Sequence, residues 1–575
     1  MFKTFLPYLK KFRRELAGAF ACLVFEDIFE LLIPLALADI MDNGIAAGDV
    51  RRVLTGCGIM LLLAFIALMF GRTYARLIAV GGQGFGAELR RAEFEKVQQF
   101  SFLNMDHFRS SGLITRLTGD VQIIQNMITG GIRPATRGIL SITIAMAFSF
   151  ILDPRLALIF LIMLPIIGIG LFLIVRFTFP LFPKQQAGID RLNLIIQENL
   201  TAIQIVKAFC REDYEEAKFL AAASEQRKIA EKSGRISVLN IPIMQAGVYI
   251  TICGMLLYGG NLYMRGLTTI GALTGILTYL RQVLNSMMMV SNVFMLITRS
   301  TASMARVAEV LNEVPDISNE NARPIHVKEG DIVFENVSFK YDPNAPENVL
   351  SSVNLHFRPG ETVGIIGGTG SAKSSLIQLI PRLYDVSEGR ILIDGEPLDA
   401  YPLTHLREAV GVVLQKNTLF SGTIAENLRW GKRDASPEEL EAVCRDAEAD
   451  AFIRAFPDGY DTVLGPQGAG LSGGQKQRVC IARTLLKHPK ILIMDDSTSA
   501  VDVVTESRIQ QNLRTRYPDM TRIIIAQRIT SIMHADQIVI IDDGKVSAVG
   551  THDTLLAENR IYQEIYHSQL EGALL

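Results

Sequence analysis

The chain has 575 residues, of which 49% are hydrophobic and 20% charged, and its formal net charge is −2. That length exceeds one domain, that composition is apolar for a soluble enzyme, and that charge argues against a nucleic-acid binder. The six cysteines (Cys22, Cys57, Cys210, Cys253, Cys444, Cys480) form no CxxC pair, so neither a zinc site nor a redox motif is expected.

The apolar character lies in the first half. A basic start (Lys3, Lys10, Lys11, Arg13, Arg14) leads into a segment long enough to stay in a membrane, and no cleavable signal peptide is expected. Six apolar stretches are long enough to span, near 16–41, 53–80, 132–152, 155–178, 236–263 and 270–298. Short turns join them on one side. On the other, the connections at 81–131 and 179–235 are long and rich in Lys and Arg, the inner side by the positive-inside rule. Their helix formers and i,i+4 charge pairs, as in Glu88–Val97, extend the spans below the bilayer. Short turns at Asn104–Arg109 and Cys210–Glu215 mark the tips, as solvated loops or as segments that press on a second domain.

Glu26, Asp27 and Glu30 fall inside the first span, where carboxylates are costly. Glu26 and Glu30 share a helix face. Two readings are open: an acidic lining for cationic cargo, or ion pairs with Arg72, Arg76 or Arg281, with protonation of one acid as a variant of the second.

Residues 312–330 carry Pro315 and Pro324 without periodicity and read as a linker, which divides the chain into 1–311, 312–330 and 331–575. Alternating strands and helices then predict an α/β domain, beginning with a strand over 331–341. A buried strand at 361–366 runs into Gly367-Gly368-Thr369-Gly370-Ser371-Ala372-Lys373-Ser374-Ser375, a phosphate-binding loop opening a helix. In such a loop Lys373 reaches the β/γ-phosphates and the Ser374 hydroxyl holds Mg²⁺. Ala372 stands where this motif expects Gly. Leu471-Ser472-Gly473-Gly474-Gln475 opens another helix and offers a second anion site. Ile491–Asp495 is an apolar strand ending in acids, which places Asp495 beside the metal; Asp496 and the run to Asp502 follow.

Together these motifs resemble the ATP-binding cassette (ABC) superfamily across essentially the whole chain, and the first half resembles its exporters with six membrane helices per chain. The implied fold is multi-domain, an all-α polytopic membrane domain followed by an α/β ATPase domain with a helical subdomain. The resemblance implies ATP and Mg²⁺ as ligands. It implies that Tyr341 stacks on adenine, that Gln415 contacts Mg²⁺ and senses the membrane domain, and that Asp495 is the Mg²⁺ carboxylate. It implies that Ser472, Gly473, Gly474 and Gln475 cap the γ-phosphate on a partner's ATP, and that Asp502 lies at the dimer seam.

Two departures carry the functional expectation. The family places a hydrolytic Glu after the Mg²⁺ Asp, and this chain has Asp496. The family's switch residue is His, and this chain has Gln527. An Asp is one methylene shorter, and Gln cannot carry a proton as His can. Residues 465–470 also lack the Glu usual in exporters. With the signature at Leu471–Gln475 intact, the resemblance implies one slow site and one fast site in a heterodimer whose partner supplies Glu and His. The expected activity is ATP-driven export of small amphipathic molecules across the cytoplasmic membrane of a bacterium. The alternatives are a homodimeric lipid or peptide exporter, a non-transporting ATP-gated regulator, and an importer. His107, His534 and Trp430 read as packing or surface residues.

Overall fold

The computed structural model describes residues 2–178, 180–496 and 501–574. It forms two compact units: Met1–Gln98 with Ser110–Glu313, and Gln99–Arg109 with Val314–Leu575.

The first unit is helical. The helices that carry the apolar stretches are α1 (Arg13–Asp39), α2 (Val50–Val97), α3 (Val121–Leu152), α4 (Pro154–Thr178), α5 (Asn240–Met264) and α6 (Ile270–Asn312). The 48 residues of α2 run as one rod, so an apolar span and its polar extension are continuous. Among the described residues, four helical runs are both long and apolar enough to cross a membrane: Val50–Val97, Ser110–Leu152, Pro154–Thr201 and Pro242–Met264. The other two stretches expected from sequence, near 16–41 and 270–298, lie on the long helices α1, which carries the three acids, and α6. Leu61, Leu62, Phe65 and Leu68 leave α2 exposed and apolar, a surface that suits lipid rather than water. The unit's interior holds two apolar clusters. One gathers Leu23, Tyr74, Phe85, Leu89, Ile124 and Val307. The other gathers Leu31, Phe160, Met255, Ile276, Tyr279 and Val283.

The tips differ from the turns expected there. Residues 102–108 form a helix rather than a turn, because Ser101 accepts from the backbone N–H of Asn104 while the Asn104 side chain accepts from that of Ser101. This helix belongs with the second unit: Leu103 packs on its core, and Asp106 accepts from the Tyr384 hydroxyl at 2.9 Å. At the second tip the helix already resumes at Glu212, with Glu212, Asp213 and Glu215 in its first turn, where carboxylates meet the positive helix end.

The second unit is built on strands β1 (Ile332–Phe339), β2 (Leu350–Phe357), β3 (Thr362–Ile366), β4 (Glu388–Ile393), β5 (Val410–Val413), β6 (Ile491–Asp495), β7 (Thr521–Ile525), β8 (Gln537–Asp542) and β9 (Lys545–Gly550). One sheet has the order β9-β8-β3-β7-β6-β5; β8, β3, β7, β6 and β5 are parallel, and β9 adds antiparallel at the edge. β1 lies between β2 and β4 in a second, antiparallel sheet. β3, β6 and β7 are buried at every position, as a parallel sheet covered on both faces requires. Their ends carry the site: β3 delivers the phosphate loop, β6 delivers Asp495, and β7 leads to Gln527. Ligands bind outside the carboxyl ends of strands in such sheets.

Candidate nucleotide site

The phosphate loop leaves β3 and opens α7 (Lys373–Leu379). A Cβ at Gly367 would lie 2.0 Å from the Ile541 carbonyl oxygen, so only glycine passes there. Lys373 is held by its own loop, with Nζ donating to Gly367 O at 2.9 Å and Gly368 O at 2.7 Å and lying 3.2 Å from Ser371 Oγ. Burial pushes its ammonium below the usual lysine range, opposed by Asp495 and Asp496. Gly368, Thr369 and Gly370 stand exposed at the loop's crest.

Ala372 adopts φ 72° and ψ 21°, the left-handed region. Its Cβ costs about 1–2 kcal/mol there, partly offset by the greater unfolded-state entropy of glycine. Ala372→Gly is therefore expected to stabilise the nucleotide-binding unit by about 0.5–1 kcal/mol. Thermal unfolding measures it, and an unchanged or lowered midpoint would contradict the strain.

Ser374 Oγ donates to Asp495 Oδ1 at 3.2 Å. A hydroxyl beside a carboxylate is a hard oxygen pair of the kind Mg²⁺ takes, so these two residues fit the ion. Burial raises the Asp495 carboxyl above the usual range. Tyr341, at the end of β1, has its hydroxyl 2.9 Å from Ser375 Oγ and remains 36% exposed. Its ring is edge-on to Phe339 and to Tyr384, with centroids 4.8 and 5.1 Å away. An aromatic held among other rings and still partly exposed can stack on a flat ligand.

Asp496 follows β6 with φ 45°. Its Oδ2 accepts from Gln527 Nε2 at 2.7 Å and lies 3.5 Å from Gln415 Nε2. The two glutamines and the shortened acid thus converge on one oxygen. Burial raises the Asp496 carboxyl, while the Gln415 amide, Arg528, Lys373 and the Gln527 amide pull it down. The structure therefore brings together Tyr341, the loop 367–375, Gln415, Asp495, Asp496 and Gln527.

Ser472–Gln475 is organised separately. Ser472 caps α8 (Gly473–Leu485): Gln475 N donates to Ser472 Oγ at 3.4 Å, and Ser472 N donates to Gln475 Oε1 at 2.9 Å. Ser472 and Gly473 are exposed, a free helix start of the kind anions approach. Asp502 caps α9 (Val503–Arg516), accepting from Thr505 N at 3.0 Å, which holds its carboxyl below the usual range. Residues 497–500, between Asp496 and Asp502, lie outside the described residues.

The acids of α1 meet cations other than Arg72, Arg76 or Arg281. Glu26 pairs with Arg133 and lies 3.7 Å from Arg137, Asp27 is 3.2 Å from Arg137, and Glu30 pairs with Arg137. Ser141 adds hydrogen bonds of 2.7 and 2.8 Å to the two Asp27 oxygens. Glu26 and Asp27 are buried, and only Glu30 is half-open. Arg133 and Arg137 are spaced i,i+4 on α3 and mirror Glu26 and Glu30 on α1.

Residues 16–287 match the family model for the ABC transporter transmembrane region, and residues 350–499 match the ABC transporter model. The chain is 37% identical to the uncharacterized ABC transporter ATP-binding protein YfiB of Bacillus subtilis (strain 168), covering 98% of each. It is 31% identical to the putative multidrug export ATP-binding/permease protein YgaD of the same organism, covering 99% of each. The solved structure of a bacterial Atm1-family ABC exporter with ATP bound is similar at a TM-score of 0.83 and 28% identity, over 97% of this chain and 99% of that one. With a phosphate loop and an acidic strand end on one parallel sheet, and with these relatives along its full length, the chain belongs to the ABC transporter family, as an exporter half-transporter with a membrane domain fused to one ABC ATPase domain.

Proposed function

We propose that this chain is the slow-site half of a heterodimeric exporter of small amphipathic compounds in the cytoplasmic membrane. One observation carries the reading. Asp496, where the family has Glu, has Oδ2 engaged by the amide of Gln527, where the family has His, with the Gln415 amide alongside. An oxygen engaged by amide donors is a poor base for the attacking water, and neither glutamine can relay a proton. Lys373, Ser374, Asp495 and Tyr341 are intact, so binding is retained while turnover falls. Mg²⁺ held by Ser374 and Asp495 would neutralise phosphate charge. The exposed Ser472–Gln475 turn serves the partner's nucleotide, and the partner's Glu and His do most of the hydrolysis. The cargo class follows the apolar bundle and the multidrug name of the YgaD relative.

The experiment is a comparison in proteoliposomes. The purified chain alone is expected to bind ATP, hydrolyse it slowly and move no amphipathic dye. Co-purified with a half-transporter that carries the Glu and the His, it is expected to show robust, vanadate-sensitive turnover and flux. Brisk hydrolysis by the chain alone would overturn the slow-site reading, and turnover without flux would favour the ATP-gated regulator.

A further inference from the structure

The C-terminal helix α10 (Arg560–Leu574) is moored to the nucleotide-binding unit by one face. Tyr562 is fully buried, and its hydroxyl lies 2.7 Å from His552 Nδ1. Ile565 and Tyr566 pack on the cluster that contains Ile529 and Ile532. At helical spacing the next residue on this face is Gln569, a polar side chain where the apolar stripe would continue.

Its amide is used at both ends. Gln569 Nε2 donates to the backbone carbonyl of Gln527 at 2.8 Å, and Gln569 Oε1 accepts from the backbone N–H of Ile529 at 2.9 Å. The two backbone groups belong to residues two apart and flank Arg528, which starts the turn Ile529–Ser531. The side chain thus acts as a short strand, pairing a donor and an acceptor that β7 left open when it ended at Ile525. The residue it grips is the one whose side chain meets Asp496 at 2.7 Å.

We propose that Gln569 is a positioning residue for the switch position: through its clasp on the backbone at 527 and 529, the C-terminal helix sets how far side chain 527 reaches toward Asp496. The inference rests on the reading of Asp496 and Gln527 as the γ-phosphate end of the site. Catalysis at that end depends on placement, and a shift of about 1 Å costs up to a hundredfold in rate. Binding groups in the phosphate loop and at Tyr341 are on other strands, so the clasp acts on turnover and not on affinity.

The test uses the full-length chain and two variants. Gln569→Ala removes both bonds. Gln569→Glu keeps an acceptor for the Ile529 N–H and removes the donor to the Gln527 carbonyl. Amide hydrogen exchange over 526–532 reads the clasp directly, and is expected to quicken about tenfold at Ile529 in the alanine variant only. Turnover is read on the chain purified without a partner and with Asp496→Glu/Gln527→His also present, so that only this chain's own site contributes. There both Gln569 variants are expected to lower kcat about tenfold, with KM for ATP within about twofold of the parent.

Unchanged exchange in the alanine variant overturns the clasp. Faster exchange with unchanged kcat, or kcat and KM moving together, overturns the positioning role while leaving the site reading intact. If Asp496→Glu/Gln527→His brings no gain, the slow-site reading falls instead. The clasp is then judged on exchange and on the single-turnover rate of the parent chain, which must fall in the alanine variant.

Discussion

Combining Asp496→Glu with Gln527→His is expected to raise ATP turnover of the purified chain by about a hundredfold, within the range contributed by a positioned general base. The added methylene extends the carboxylate beyond the position where the Gln527 amide now holds Asp496 Oδ2 at 2.7 Å. The imidazole replaces a donor-only amide contact with a group that also carries charge. The single variants should fall well short of the pair, because each leaves one half of the contact mismatched; groups that act as a unit are strongly non-additive. ATP affinity should stay within a few-fold, since Lys373, Ser374 and Tyr341 are untouched. Steady-state kinetics with Mg²⁺-ATP provide the measurement. No increase in the double variant, with ATP binding intact, would mean that the slow site is not set by these two side chains.

Removing Arg137 has the other large expected effect. Its guanidinium pairs with Glu30, lies 3.2 Å from Asp27 and 3.7 Å from Glu26, and is itself mostly buried. Arg137→Met keeps much of the side-chain volume and leaves Asp27 without its cation in an apolar helix. Breaking a buried pair in this way costs about 3–5 kcal/mol. Arg137→Met combined with Asp27→Asn should recover about half of that loss, because the stranded charge goes with its partner. Denaturation of the transporter in lipid nanodiscs, scored for Arg137→Met, Asp27→Asn and the pair, gives the coupling energy. An Arg137→Met variant as stable as the parent would mean that water already solvates the acids of α1, and would return the acidic lining as the better account of Glu26 and Glu30.

Much of the nucleotide half was legible along the chain because its chemistry is local. A phosphate loop needs consecutive residues between a strand and a helix, so Gly367–Ser375 announces itself, and so do Ser472–Gln475 and the apolar run into Asp495. Even the strain at Ala372 is implied by an alanine at a glycine position, although its left-handed φ of 72° is a structural fact. The tips were harder. Asn104 contains a capping partner for Ser101, yet a seven-residue helix is too short for periodicity to declare it.

The order and character of the elements, the phosphate-binding segments and the identities of Asp496 and Gln527 were determined by the linear sequence, because backbone turns, caps and side-chain reach depend on neighbours in the chain. Which charges meet was decided only by the fold. Arg133 and Arg137 face Glu26, Asp27 and Glu30 because α1 and α3 pack side by side, across a separation no periodicity encodes. Gln569 reaches the backbone at 527 and 529 for the same reason: α10 is moored by Tyr562 and Tyr566, and tertiary packing brings its amide to two backbone groups beyond the end of β7.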